Sequence, residues 1–444
     1  MKLFQSKRLL NESKRMLSVS QWRRRVLFWS GGLAVGLFCV VFAIVCDHLN
    51  SFVQKQAIDH PGWAFLVTPV GFMAIVWIMK KWFDGAEGSG IPQVIAALQL
   101  NSLSARSRLV SLKLAFGKFF LTALGFLSGA SIGREGPTIQ LSAAVMQSLR
   151  KWGSFQRHDA ERGLLLAGGA AGIAAAFNAP LAGVVFAIEE LSGSFEKGLS
   201  GTIITAVVLC GIVAQYVLGN YHYFGTSKAM LDIIHGGWLV VLVMAVIGGA
   251  LGGIFSWLLI NISKVIMRVI RRHPLLVAGV IGLCIAGIGY LAHGLTYGSG
   301  YAAAKNIITD NDSLHVVAMY GPLKMLATLL TYLSGLPGGI FAPSLSAGAG
   351  FGQIFAHLFP HHFHDAVVLL CTVAYFSGVV QSPITCFVIV LEMTDATSGN
   401  MVLPIMLASV IATGVSKMIC REPLYHVLAM RYLDRIKKEK AAKS

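Results

Sequence analysis

Apolar residues run along this chain in long blocks instead of alternating with polar ones. Blocks at 26–46, 62–79, 201–217, 237–260 and 401–416 match the run of about 20 apolar residues that a helix needs to cross a bilayer. Shorter apolar blocks lie between them. Roughly ten to fourteen apolar segments are predicted in all, several of them too short to span alone. The pattern predicts an all-α polytopic membrane protein whose helices are partly broken.

The blocks break where Gly and Pro gather. The most informative break is Gly129-Ala-Ser-Ile-Gly133-Arg134-Glu135-Gly136-Pro137, which runs into Thr-Ile-Gln-Leu-Ser-Ala-Ala-Val. Arg134 and Glu135 are ionisable groups inside an apolar stretch. Such groups are costly at membrane depth and mark a pathway or a site. Pro is favoured in the first turn of a helix, where its missing N–H costs nothing. A helix is therefore predicted to start here, within the membrane, with free N–H groups that suit an anion. Glu135 is itself an anion at that end, so it competes for the same spot.

A second break, Asp84-Gly-Ala-Glu-Gly88-Ser89-Gly90-Ile91-Pro92, has the same form. Ser89 offers a hydroxyl donor without charge, which holds an anion that must also leave. A third, Asn178-Ala179-Pro180, follows a stretch rich in Gly and Ala and leads to Glu189 and Glu190. Paired carboxylates at the end of an apolar helix either face headgroups or handle protons.

These breaks recur. Gly133-x-x-x-Pro137 returns as Gly339-Ile340-Phe341-Ala342-Pro343, Gly88-Ser89-Gly90 as Gly298-Ser299-Gly300, and Asn178-Ala179-Pro180 with Glu189 as Gln381-Ser382-Pro383 with Glu392. The order is the same in both halves, about 50–200 and 260–400. Paired Gly/Pro-interrupted segments in two halves point to a transport site between inverted-topology repeats. The repeat also separates the two glutamates. Glu189 matches Glu392, which favours an architectural role, whereas Glu190 falls opposite Met393.

Composition agrees with a membrane protein. The 444 residues are 55% hydrophobic and 13% charged, against about 25% charged in a soluble domain. The net charge of +16 signals topology, not nucleic-acid binding. Lys2, Lys7, Arg8, Lys14, Arg15, Arg23, Arg24 and Arg25 precede the first block, and Arg431, Arg435, Lys437, Lys438, Lys440 and Lys443 end the chain. The positive-inside rule then puts both termini in the cytoplasm, as tails 1–25 and 431–444 on a single transport domain 26–430. The loops with Arg106, Arg108 and Lys113, with Arg150 and Lys151, and with Arg268, Arg271 and Arg272 are placed on the same side, and 218–236 on the other. The basic tails also suit contact with lipid headgroups. The first block is not read as a cleaved signal, since no small-x-small site follows it. The seven cysteines are scattered, without metal or disulfide spacing.

Three ordered motifs, Gly-Ser-Gly-Ile-Pro at 88–92, Gly-Arg-Glu-Gly-Pro at 133–137 and Gly-Ile-Phe-Ala-Pro at 339–343, with Tyr425 near the end, resemble the CLC family of chloride channels and chloride/proton antiporters. The resemblance covers about 26 to 430. It implies a homodimer in the bacterial inner membrane, without cofactor, metal or C-terminal regulatory domains, with one anion pathway per subunit. By that resemblance Ser89 and Tyr425 hold the central anion with the backbone N–H groups of Ile340 and Phe341, and the backbone N–H groups around Arg134 and Glu135 form an outer site. Glu135 is then the external gate and proton acceptor, and Glu190 the internal proton-transfer group, which favours antiport over a passive voltage- or pH-gated channel. Ser89, where proline would suit nitrate, favours chloride. Gln93, Val94 and Ile95 stand where some prokaryotic relatives are acidic, so inner proton access is expected to differ.

Two other readings are weaker. A membrane enzyme needs a nucleophile, base or metal set, and the chain has no His-Glu-x-x-His or Gly-x-Gly-Asp motif. A scaffold has no need of Arg134 and Glu135 at a broken helix start. His357, His361, His362 and His364 are read as a polar loop rather than a metal site.

Overall fold

The structure is a computed structural model that describes residues 19–153, 158–192, 201–219, 223–226, 229–231, 236–309, 318–395 and 400–441. Its first half contains α1 (Val19–Asp59), α2 (Ala64–Trp82), α3 (Ile91–Gln99), α4 (Leu103–Ser107), α5 (Leu112–Leu127), α6 (Glu135–Ser148), α7 (His158–Phe177), α8 (Pro180–Phe186) running into a π-helical turn (Ala187–Ser192), and α9 (Gly201–Leu218). The second half contains α10 (Trp238–Arg272), α11 (Pro274–Leu291), α12 (Tyr301–Ile308), α13 (Tyr320–Leu333), α14 (Phe341–Ala356), α15 (His364–Val380), α16 (Pro383–Thr394) and α17 (Val402–Ile419). α18 (Leu424–Ala441) closes the chain.

The order of the first half repeats in the second. α1 matches α10, α2 matches α11, α3 matches α12, and so on to α9 and α17; only the short α4 has no counterpart among the described residues. The matched elements extend beyond 50–200 and 260–400, since α1 and α10 match as well, with Gly32 and Gly36 lying on α9 as Gly249 and Gly253 lie on α17. Packing repeats too: α1 lies on α7 and α9 as α10 lies on α15 and α17, and α6 lies on α7 as α14 lies on α15.

The two halves meet on a dyad. Gly133 N–H donates to Gly339 O at 2.7 Å, and Gly339 N–H donates to Gly133 O at 2.7 Å, as an isolated antiparallel bridge. These glycines are equivalent in the two motifs, and an exchange of bonds between equivalent residues is what an inverted repeat requires.

Eight helices among the described residues are long and apolar enough to cross a membrane. Several of the others, α3, α8 and α12 among them, are short because they start at Gly/Pro breaks. Their exposed faces are apolar, with Leu37, Leu66, Leu276, Val280 and Val410 among the exposed side chains, as a lipid-facing surface demands. The span His361–Val380 is 89% buried, so it is a core helix screened from lipid by its neighbours.

Ion pairs tie the basic clusters to one face. Arg106 and Arg150 both reach Glu161, at 3.3 and 3.6 Å. Arg108 meets Glu439 at 2.7 Å, and Arg435 meets Asp84 at 2.6 Å. Arg431 bonds Ser263 and the carbonyl of Ile260, near the end of α10 that carries Arg268, Arg271 and Arg272. The described cysteines are all free, and all but Cys284 are buried.

Candidate functional site

The breaks around the dyad bring helix starts together. α3 starts after Gly90, α6 at Glu135 and α14 at Phe341. Gly90 has φ of 110° and lies against the carbonyl of Gly136, where a Cβ would clash. Only glycine tolerates both demands, so the Gly-Ser-Gly turn sits directly on the first turn of α6. Ser89 Oγ lies against Gly136 for the same reason.

Two buried lysines hold these turns. Lys118 Nζ donates to the carbonyls of Ala86 and Gly88 at 2.8 and 2.7 Å. Lys324, its match in the second half, donates to the carbonyls of Thr296 and Gly298 at 2.9 and 2.7 Å. The ammonium groups satisfy carbonyls that the broken helices leave without partners. Each lysine follows the Gly-Ser-Gly motif of its own half, a spacing that is the signal the sequence carries for the pair.

Glu135 is fully buried. Its Oε2 accepts from the N–H of Ala342 at 3.4 Å, and its Oε1 accepts from the hydroxyl of Tyr301 at 2.7 Å. The carboxylate of one half therefore lies on the helix start of the other, where the N-terminal amides of α14 suit an anion. Tyr301 opens α12 after the second Gly-Ser-Gly motif; the sequence reading missed it.

Arg134 is buried beside Glu135, and its side chain is engaged elsewhere. Its guanidinium pairs with Asp47 at 2.6 Å, donates to the carbonyl of Ala43 at 2.9 Å and bonds the hydroxyl of Tyr223. It also lies 5.1 Å from the ring centre of Tyr223 and 5.9 Å from that of Tyr301, within the range of a cation–π contact. Tyr223 and Tyr301 stack at 4.9 Å. The side chain thus braces the helix start, which leaves its backbone as the part that can face an anion.

Ser89 and Tyr425 are both fully buried, and neither hydroxyl has a hydrogen-bond partner among the described residues. Buried hydroxyls normally find one. The ring of Tyr425 packs edge-on against Phe341 at 5.5 Å, beside Ile340, the residue that caps α14. Uncharged hydroxyls left without a partner can hold an anion without a full positive charge.

Glu190 belongs to a different cluster. It lies in the π-helical turn after α8, is 2% exposed and accepts from the hydroxyl of Ser382. π-helical turns inside helices often sit at functional sites. Glu189 points elsewhere and caps α16 by accepting from the N–H groups of Ile384 and Thr385 at 3.2 and 2.7 Å.

Two other stretches are accounted for. Gly129 to Gly133 has the Gly-x-Ser-x-Gly spacing of a hydrolase elbow, but the Ser131 hydroxyl is buried and bonded to Thr328 at 3.0 Å, as part of the seam between the halves. The rings of His361 and His364 stack at 4.5 Å. No group of three or more His, Cys, Asp or Glu side chains among the described residues is set to hold a metal ion.

Known proteins share this fold. The family model described as voltage gated chloride channel matches residues 71–417. An H(+)/Cl(-) exchange transporter ClcA of Yersinia pestis bv. Antiqua (strain Angola) is 30% identical over 439 residues, covering 92% of this chain and 88% of its own. The ClcA of Salmonella gallinarum is 30% identical over 461 residues, covering 98% and 94%. Among solved structures, a slow cyanobacterial Cl-/H+ antiporter superposes with a TM-score of 0.79 at 24% identity, covering 93% of this chain and 98% of its own. A CLC-type fluoride/proton antiporter superposes with a TM-score of 0.75 at 22% identity, covering 90% and 97%. With the motifs, the inverted repeat and the matched family model together, the chain belongs to the CLC family of voltage gated chloride channels and exchange transporters.

Proposed function

We propose that this protein is a secondary active chloride/proton antiporter in which Glu135 is the external gate. One observation carries the reading: the Glu135 carboxylate lies on the start of α14, accepting from Ala342 N–H, where a transported anion would sit. An ionised carboxylate there excludes chloride. A protonated one loses its attraction to the helix start and gives way to the halide.

Chloride then passes through a cradle of Ser89, Tyr425 and the backbone N–H groups of Ile340 and Phe341, with an outer position near the backbone of Arg134 and Glu135. Glu190 passes the proton to and from the inner side. Exchange is reversible, and the gradients set its direction. The fully buried Glu190, whose match in the second half is Met393, supports antiport over a passive channel.

The face tied together by Arg106, Arg108, Arg150 and Arg435 is taken as cytoplasmic by the positive-inside rule. Both termini then lie inside, in a bacterial inner membrane, with anionic lipid against the basic tails. A homodimer with one pathway per subunit accords with the family.

The test uses purified protein in liposomes with an imposed chloride gradient and the voltage clamped by valinomycin and potassium. Protons driven uphill by chloride establish antiport. Chloride flux without proton movement makes the protein a channel and leaves Glu190 as an inert relic.

A further inference from the structure

Glu190 is buried, so its proton must reach water through another group. The helices packed against its π-helical turn are α3, α7, α8 and α16. Neither α3 nor α8 carries an ionisable residue, and the ionisable residues of α7 lie in its first five positions. In α16 they are Cys386 and Glu392, and Glu392 is engaged at the far end by the N–H groups of Leu181 and Ala182. The titratable groups around Glu190 are Glu189, Cys386, Tyr425 and His426. Glu189 is committed to capping α16, and Cys386 and Tyr425 are fully buried.

His426 differs from all of these. Its Nδ1 is buried and stands 3.7 Å from Glu190 Oε1, while its side chain is 44% exposed. Neither atom of that pair has a hydrogen-bond partner among the described residues. The gap is too short to admit a bridging water, and a small ring rotation closes it to bonding distance. One end of the imidazole is thus aimed at a buried carboxylate, and the rest of the ring is exposed. α18 continues from His426 to Arg431 and Arg435 on the basic face.

We propose that His426 is the proton port of Glu190, relaying protons between that carboxylate and water on the basic face. The inference rests on Glu190 being the inner proton-transfer group. A proton from water adds to the outer ring nitrogen and gives imidazolium. The inner nitrogen then releases its own proton to Glu190 Oε1, which leaves the other neutral tautomer and a protonated carboxyl. Ring rotation or proton exchange with water restores the starting tautomer. The reverse sequence delivers a proton outward. Imidazole suits this step because both nitrogens take part and its ordinary pKa lies near neutrality.

The experiment measures chloride-driven proton flux by the full-length protein in liposomes for H426Q, H426E and E190Q, with chloride binding to each purified variant followed by titration calorimetry. H426Q, which cannot titrate, is expected to lower proton flux about 100-fold or more, the lower end of the roughly 10²–10⁴-fold span of a lost acid–base group. H426E restores most of that flux, and both bind chloride as the wild type does. Wild-type proton flux in H426Q overturns the port. So does equal loss in H426Q and H426E with chloride binding intact, or loss of chloride binding in both, since either marks a packing role. Wild-type proton flux in E190Q instead overturns the reading beneath it. Loss in E190Q with full flux in H426Q overturns the port alone.

Discussion

Glu189 and Glu392 cap each other's helices. The carboxylate of Glu189 accepts from Ile384 and Thr385 at the start of α16, and that of Glu392 accepts from Leu181 and Ala182 at the start of α8. Each glutamate ends the helix pair of its own half and neutralises the helix start of the other. The N–H groups of those starts have no partners within their helices, and a carboxylate is the acceptor that best complements the dipole there.

The pair makes a prediction that separates architecture from transport. E189A or E392A removes the acceptor of two N–H groups, and each bond to a charged group is worth about 1.5–3 kcal/mol. Both variants are expected to lower the melting temperature of the detergent-solubilised protein by several degrees. E190Q, which keeps an acceptor for Ser382, is expected to melt as the wild type does. A drop in E190Q as large as in E189A would make Glu190 architectural as well.

E135Q tests the gate. A neutral amide has no charge to hold it at the start of α14 and no proton that titrates, so on the proposed mechanism the anion path stays open. Chloride flux is expected to continue with proton coupling lost. Retained proton coupling in E135Q, measured in the same liposome assay, would remove Glu135 from the gate.

The fold was legible from particular residues because broken helices punctuate themselves. Gly90, Gly133 and Gly339 stand at the breaks, and Pro92, Pro137 and Pro343 stand in the first turns that follow. The repeat could be read because the same breaks return in order. What the sequence hid was pairing. Tyr301 meets Glu135 across 166 positions, and Arg134 meets Ala43 across 91. Periodicity says that a residue is buried and never which neighbour it is buried against. Lys324 and Tyr301 were hidden for that reason, though both sit where the repeat duplicates a motif. The long helices α1 and α10 carry a quieter signal, Gly32 and Gly36 against α9 and Gly249 and Gly253 against α17, with no proline break to draw attention to it.

Ser89 and Tyr425 make a prediction about binding. If both hydroxyls face the halide, S89A and Y425F each remove one donor to a charged ligand, worth about 1.5–3 kcal/mol. Chloride affinity by titration calorimetry is then expected to fall about tenfold or more in each. The double variant is expected to lose less than the product of the two, since both donors act on one ion. Wild-type affinity in both single variants would place the central anion elsewhere.

The last prediction concerns the hydroxyl that holds the gate. Tyr301 donates to Glu135 Oε1 at 2.7 Å while Glu135 Oε2 rests on Ala342 N–H, so on the proposed mechanism the phenol helps keep the carboxylate in the anion path. Y301F retains the ring that stacks on Tyr223 and faces Arg134, and deletes only that bond. Losing a hydrogen bond to a charged acceptor costs about 1.5–3 kcal/mol, and here the cost falls on the blocked state alone. Chloride, which competes for the same helix start, is therefore expected to bind about tenfold or more tightly in Y301F. In E135Q there is no carboxylate for the phenol to hold, so adding Y301F is expected to change affinity little. That double-mutant cycle isolates the pair. An equal gain in both backgrounds would mean that Tyr301 acts on chloride directly. No gain in either would mean that the helix start holds the gate without help from the phenol.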